Sequence, residues 1–322
     1  MKIVVTDCSW GSYDIEKKYL PQDAEVVCEQ ITSDEDKLIE VCKDATAALS
    51  EYAPWTRRVM EACPNLKIIA QTAMGFDNVD IEAAKDLGIT VTNVPDYCFD
   101  EVAEHAAALL VSLMRNTIGY DEVIKTKKVW DFKIAPKLYR INGETLGLIG
   151  CGRIPRRAAH MMQGFGMKVI GYDPYLPEEV AKEAGITLVK TIKEIAEQSD
   201  AILSHVPLMP STEKMVAGEL FDNLKKHPVF VNTSRGGTVD YHLLSEALKD
   251  GRITAAGLDV VDSEPADFDS EIFQCENAYF TPHAAFYSET ALEEVRRRSA
   301  ENVTNFLAGG EGKIDYVVKF DK

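Results

Sequence analysis

The sequence predicts an α/β protein built from two doubly wound parallel-sheet units, and three observations carry that prediction. Its 322 residues are about twice the usual domain size, which favours two packed units over one. Short β-branched runs alternate with helical patterns from end to end, the rhythm of parallel strands joined by crossover helices. Those strands fall into two series, separated by a helical stretch from Asp100 to Arg115.

The first series runs Lys2 to Thr6, Ala45 to Leu49, Lys67 to Ala70 and Thr90 to Asn93, with helices such as Trp55 to Ala62 and Ile81 to Leu87 between. The second runs Thr145 to Gly150, Lys168 to Tyr172, Ala201 to Ser204, Val229 to Asn232, Ala255 to Asp259 and Ala278 to Thr281. A long helix around Ser288 to Leu307 returns the chain, and a short charged tail follows. No repeat, Pro-rich linker or low-complexity segment marks a boundary, so the first crossing is placed in an ordinary loop near Cys98 to Glu101.

Composition excludes several classes. A formal net charge of −17 sets up a field that repels phosphate backbones and anionic headgroups, which argues against nucleic acid and membrane surface as partners. The seven cysteines (Cys8, Cys28, Cys42, Cys63, Cys98, Cys151, Cys275) show neither knuckle nor redox-pair spacing, and no histidine spacing suggests a metal site. With Asp7 interrupting the opening apolar run after four residues, a reducing, cytoplasmic protein is expected. The apolar stretch Ala106 to Met114 is half of what a membrane crossing needs.

One turn points to a ligand. The strand ending at Ile149 enters Gly150-Cys151-Gly152-Arg153-Ile154-Pro155 and then a helical pattern from Arg156 to Phe165. A glycine turn between a parallel strand and a helix lets backbone N–H groups approach a pyrophosphate, which the helix dipole favours. Asp173, 23 residues beyond Gly150 at the end of the next strand, suits a ribose hydroxyl and would repel a 2′-phosphate. The expected cofactor is therefore NAD, bound in a Rossmann-type unit. Pro155 replaces the third glycine of the pattern; in a first helical turn its missing N–H costs little. Alone, the same glycines would serve equally as a turn with no ligand.

Ligands in such sheets gather beyond the carboxyl ends of the strands. There the sequence places Arg235 after Val229 to Asn232, Glu264 after Ala255 to Asp259, and His283 after Ala278 to Thr281. Hydride transfer to a 2-keto acid needs a cation for the substrate's oxygens and a proton donor for the new alkoxide. Arg235 and His283 are those types, and Glu264 could orient the imidazole and favour its charged form. Taken singly, the three fit a paired surface arginine, a helix-start acid and a capping histidine. His205 also ends a strand but has no acid nearby in sequence, and His105 reads as a core or interface residue.

These residues, with Met74-Gly75-Phe76-Asp77-Asn78-Val79-Asp80, His205-Val206-Pro207-Leu208, Asn232 to Gly237, Gly257 to Val260 with Glu264-Pro265, and Thr281-Pro282-His283, make the whole chain resemble the D-isomer-specific 2-hydroxyacid dehydrogenases. Pro282 to Glu289 is most similar to the branch containing the C-terminal binding proteins and bacterial dehydrogenases like them, although Phe286 stands where that branch usually has tryptophan. The resemblance implies a Rossmann NAD-binding domain, residues 101–287, inserted into a flavodoxin-like substrate domain, residues 1–100 and 288–322, with the active site in the cleft between them. It implies substrate binding by Arg235, general acid or base chemistry at His283, and tuning of His283 by Glu264. NAD contacts are implied at Gly150, Gly152, Arg153, Ile154, Asp173, His205, Val206, Pro207, Thr212, Thr233 and Asp259, and a homodimer through the helix from Asp100.

The departures bear on the substrate. Gln71 stands where the branch commonly has arginine, and Ala73 with Met74 replaces a smaller pair beside Gly75, whose backbone N–H groups would hold a carboxylate. Tyr52, Met74, Tyr97 and Phe286 would line an apolar, aromatic pocket, so a bulky uncharged 2-keto acid is expected over glyoxylate or a phosphorylated acid. With the sequence ending at Lys322, the regulatory module that some phosphoglycerate dehydrogenases append is not expected. Two rival readings stand beside the enzyme: a corepressor-like NAD(H) sensor with little turnover, and a degenerate member whose Pro155 weakens NAD binding.

Overall fold

A computed structural model of the chain describes residues 1–7, 11–310 and 312–318, and divides them into two compact units, Met1–Tyr97 with Ser288–Lys322, and Cys98–Tyr287. Cys8 lies outside the described residues.

In the first unit, β1 (Lys2–Val5), β2 (Glu25–Cys28), β3 (Ala47–Ser50), β4 (Ile68–Gln71) and β5 (Thr90–Thr92) are parallel, in the order β2-β1-β3-β4-β5. The sheet is covered on both faces, as its unbroken apolar strands require. Val4, Ala48, Ile69 and Val91 pack on Leu38, Trp55, Val59 and Met60 on one side. On the other, Ile3, Leu49, Ile68 and Ala70 pack on Ala300 and Val303 of the long helix Glu289–Leu307. That helix starts where Ser288 Oγ accepts the Ala291 N–H.

The second unit holds β6 (Thr145–Ile149), β7 (Lys168–Tyr172), β8 (Ile186–Leu188), β9 (Ala201–Ser204), β10 (Val229–Asn232), β11 (Ala255–Leu258) and β12 (Ala278–Phe280). Their order is β12-β11-β10-β9-β6-β7-β8, all parallel. This is the doubly wound dinucleotide-binding order extended by one strand, with its switch point between β6 and β9. The helix Phe99–Met114 packs on the helix Arg153–Gly164 and on β10 and β11. It belongs to this unit from its cap at Cys98, so the division falls before Cys98 rather than after Asp100.

The tail beyond Leu307 is more than charged coil. Tyr316–Val318 forms β13, which pairs antiparallel with β5 and completes the first sheet. Among the described residues, no helix is long and apolar enough to cross a membrane.

Candidate active site

The glycine turn sits at the switch point of the second sheet. Gly150 follows β6 with φ +85°, and a Cβ on it would lie 2.4 Å from the His205 carbonyl oxygen, so both its conformation and its close approach to the chain after β9 require glycine. Gly152 is different. Its φ is −61°, and a Cβ would meet nothing nearer than Pro155 Cδ at 4.0 Å. The fold itself makes no demand for glycine there, and the open space suits the close approach of a pyrophosphate.

Gly152 caps the helix Arg153–Gly164, and among the described residues no side-chain cap hydrogen bond satisfies the first-turn N–H groups. Arg153 and Ile154 therefore present unsatisfied donors at the positive end of the helix dipole. Pro155 is buried in that same turn, where it has no N–H to lose. Arg153 stacks its guanidinium over Phe99 at 4.2 Å. A cavity of about 550 Å³ lined by Arg153, Arg156, Arg157, His160 and Lys182 makes the outer side of this helix basic, though none of Arg235, Glu264 and His283 lines it.

Asp173 follows β7 and its two oxygens accept the Cys151 and Tyr175 N–H groups, at 2.9 Å each. The carboxylate thus ties the turn to the end of β7 and keeps lone pairs for a sugar hydroxyl. Beneath the turn, Cys151 is buried, its thiol pushed up to about 12 by burial and by Asp173. It is a packing group, with no thiolate to react.

The chemistry-bearing residues converge at the carboxyl ends of β9 to β12. Arg235 follows β10, where Gly236 is pressed on the next segment so closely that a Cβ would lie 1.7 Å from Val261 O. The Arg235 carbonyl accepts from Asn232 Nδ2 and Thr238 Oγ1, at 3.1 and 2.7 Å, which fixes the loop. Glu264 Oε2 lies 2.6 Å from His283 Nδ1. Burial opposes the charge on Glu264, but the His283 hydrogen bond and Arg235 nearby hold its carboxyl below the usual range. An ionised carboxylate only accepts, so Nδ1 carries the hydrogen of this pair. The ring also meets Phe286 edge-on, centroids 6.3 Å apart.

His205, half-buried after β9, has Nδ1 3.4 Å from Thr233 Oγ1. Burial, reinforced by the charge of Arg235, pushes its imidazole down to about 4. A histidine neutral at pH 7 beside Arg235 is a poor proton donor, in keeping with the sequence context that set it apart from His283. Val206 is 7% exposed, and Thr212 Oγ1 donates to the Pro207 carbonyl at 2.5 Å, closing the loop after β9.

Asp259, placed by resemblance among the cofactor contacts, has a carboxylate already engaged. It is 2% exposed, and accepts from Thr281 Oγ1, Ala284 N and Ala285 N. Thr281 in turn meets His105. Sequence reasoning missed this role because His105 and Thr281 are 176 residues apart.

The remaining sequence-predicted residues lie in the first unit, beyond the carboxyl ends of its strands. Tyr52 follows β3 and is 43% exposed; Ala73, Met74 and Gly75 follow β4; Tyr97 lies beyond β5. Asn93 Nδ2 donates to the Met74 carbonyl at 2.7 Å, and Val94 N to Ala73 O at 2.9 Å. Gln71 is fully buried, with neither amide atom hydrogen-bonded among the described residues. The Tyr52 loop is held by Asp7, whose carboxylate accepts the N–H groups of Glu51, Tyr52 and Ala53. No sequence pattern pointed to Asp7.

A parallel sheet of this order, with a glycine turn and an uncapped helix at its switch point and an acid at the end of the next strand, defines a dinucleotide-binding protein of the oxidoreductase type. Comparison with known proteins narrows the class. The model of the NAD binding domain of the D-isomer specific 2-hydroxyacid dehydrogenases matches residues 107–285. The D-3-phosphoglycerate dehydrogenase of Methanocaldococcus jannaschii is 38% identical over 311 residues, 96% of this chain and 58% of that protein, so the chain spans little more than half of that relative. The glyoxylate reductase of Korarchaeum cryptofilum is 38% identical over 86% of this chain and 83% of its own length. Among solved structures, the D-lactate dehydrogenase of Aquifex aeolicus, complexed with NAD and lactic acid, superposes with a TM-score of 0.88 at 28% identity, covering 99% of this chain and all of that one. The chain belongs to the D-isomer specific 2-hydroxyacid dehydrogenase family, and residues 107–285 are its NAD binding domain.

Proposed function

We propose that the chain interconverts a 2-keto acid and its (R)-2-hydroxy acid, with Arg235, Glu264 and His283 as its catalytic residues, the second unit as the cofactor domain and the first as the substrate domain. The observation that carries this reading is the 2.6 Å pair of His283 Nδ1 and Glu264 Oε2 with Arg235 close by. Bound NADH supplies the hydride. His283 Nε2–H donates the proton that the substrate's keto oxygen needs as it becomes an alkoxide, and takes it back in the reverse direction. Glu264 keeps the ring in the tautomer and orientation for that transfer. Arg235 offers a fixed cation to the substrate carboxylate and polarised carbonyl, a local attraction in a chain of net charge −17.

The NAD contacts are assigned to Gly150, Gly152, Arg153, Ile154, Asp173, His205, Val206, Pro207, Thr212 and Thr233, and Asp259 is moved from direct contact to holding the loop around His283. For the substrate, the uncharged Gln71 and the apolar Tyr52, Met74, Tyr97 and Phe286 favour a bulky, uncharged side chain over glyoxylate or a phosphorylated acid. A homodimer through the helix Phe99–Met114 is part of the same proposal, and Trp130 and Phe132, 88% and 77% exposed, offer apolar surface for it.

NADH oxidation with a panel of 2-keto acids tests the reading. Branched and aromatic keto acids are expected to turn over fastest, and His283→Ala or Arg235→Ala to lose at least about 100-fold in kcat/KM while NADH binding persists. Fastest turnover with glyoxylate or phosphohydroxypyruvate would overturn the side-chain assignment. Tight NADH binding with no keto acid reduced would replace the enzyme with a sensor.

A further inference from the structure

We infer that His105, Thr281 and Asp259 form a relay that holds His283 in its working conformation; the inference rests on His283 being the proton donor proposed above. His283 has φ +51°, in the left-handed region that a side chain disfavours, so its neighbours must impose the shape. They do so from both sides. The His283 N–H donates to the Asp259 carbonyl at 2.8 Å, while the next two N–H groups, of Ala284 and Ala285, donate to the two Asp259 carboxylate oxygens at 2.8 and 3.0 Å. Asp259 thus grips the chain through three consecutive amides beginning at the histidine itself.

The carboxylate is gripped in turn. Thr281 Oγ1 lies 2.5 Å from Asp259 Oδ1 and 2.9 Å from His105 Nε2. A hydroxyl has one hydrogen, and an ionised carboxylate can only accept, so that hydrogen goes to Asp259. The contact with His105 must then run the other way, from Nε2–H to the threonine oxygen. Donors point in a single sense, from His105 through Thr281 to Asp259, and the direction fixes which ring nitrogen of His105 carries hydrogen. Nε2 is also 3.7 Å from Asp259 Oδ1.

The relay joins the helix Phe99–Met114 to the ends of β11 and β12, the strands whose following loops carry Glu264 and His283. A shift of Asp259 would move the His283 backbone while Glu264 stayed behind, opening the 2.6 Å contact that orients the ring. His105, Thr281 and Asp259 act through His283, as positioning residues.

The test compares four variants with wild type in the full chain. His105→Phe and Thr281→Val remove the donor and the hydroxyl; His105→Gln keeps an N–H near the Nε2 position and Thr281→Ser keeps the hydroxyl. The first pair is expected to lose about 10-fold or more in kcat, with the NADH dissociation constant from fluorescence titration within about 2-fold of wild type. Their solvent deuterium isotope effect on kcat should rise as the misplaced imidazole makes proton transfer slower. The second pair should recover most of kcat. The double variant His105→Phe/Thr281→Val should be no worse than the poorer single, as expected for one connected path.

His283→Gln serves as the reference. If it turns over like wild type, the proton-donor reading fails and the relay has nothing to position. If it is inactive while His105→Phe and Thr281→Val keep wild-type kcat, the relay alone is overturned. A kcat loss that Gln and Ser do not rescue, or that merely follows a loss of NADH binding, also overturns it.

Discussion

The two units solve the same topological problem in opposite ways. Each has a switch point, between β1 and β3 in the first sheet and between β6 and β9 in the second, where the chain opens a crevice beyond the strand ends. In the second unit the crevice is left open: Gly150 and Gly152 bring backbone close without filling space, and the N–H groups of the following helix have no side-chain cap. In the first, the fold occupies the crevice itself. Asp7, 4% exposed, follows β1 and consumes three N–H groups of the chain after β3. A doubly wound sheet thus yields a nucleotide cradle only where its switch-point donors are left unspent; where a carboxylate spends them, it yields a rigid loop, here the one bearing Tyr52.

Breaking each side of that contrast gives distinct outcomes. Asp7→Ala leaves buried N–H groups without partners and should cost the first unit about 4 kcal/mol, measured by urea denaturation, with NADH affinity unchanged. An equal loss of NADH affinity would mean the crevices are not independent. Acid should separate them next. His205 lies below the usual 6.5, so the unfolded chain takes up its proton first as pH falls. The stability it lends is complete above about pH 6.5 and is lost toward pH 4, up to about 3 kcal/mol. Asp7 lies above the usual carboxyl range because burial outweighs the hydrogen bonds it accepts, so acid does not cost the first unit in this way. Hydrogen exchange, corrected for intrinsic rates, should show β9 losing protection across that window and β3 keeping it. His205→Gln should abolish the difference. The smallest effect is the cleanest: Gly152→Ala meets no protein atom closer than 4.0 Å, so stability should hold within about 0.5 kcal/mol while NADH binds about 10-fold more weakly. Unchanged affinity would remove Gly152 from the cradle.

What could be read in the sequence follows from burial. Strands β7, β9 and β10 run over the residues their apolar patterns predict, because central parallel strands are covered on both faces and read as continuous apolar runs. Of the four edge strands described, β2 (Glu25–Cys28), β8 (Ile186–Leu188) and β13 escaped notice, having partly exposed residues and no such run, while β12 did not. The site divides in the same manner. Gly150, Asp173, Arg235, Glu264 and His283 announce themselves because each stands at a strand end in a short motif. Asp7 and His105 do not, because the first amide that Asp7 holds after β3 lies 44 residues away and the Thr281 hydroxyl that His105 meets lies 176 away, and only the folded sheet brings them together.

The split first unit has a consequence for synthesis. A ribosome releases the first 97 residues long before the helix Glu289–Leu307, whose Ala300 and Val303 cover one face of that sheet. Until then Ile3, Leu49, Ile68 and Ala70 have no long helix to lie against, whereas Cys98–Tyr287 emerges as one continuous stretch with its own core. The cofactor unit can therefore mature first on the nascent chain, and the unit whose strands were made earliest is the last to close, leaving its uncovered face as the point where a chaperone would be needed.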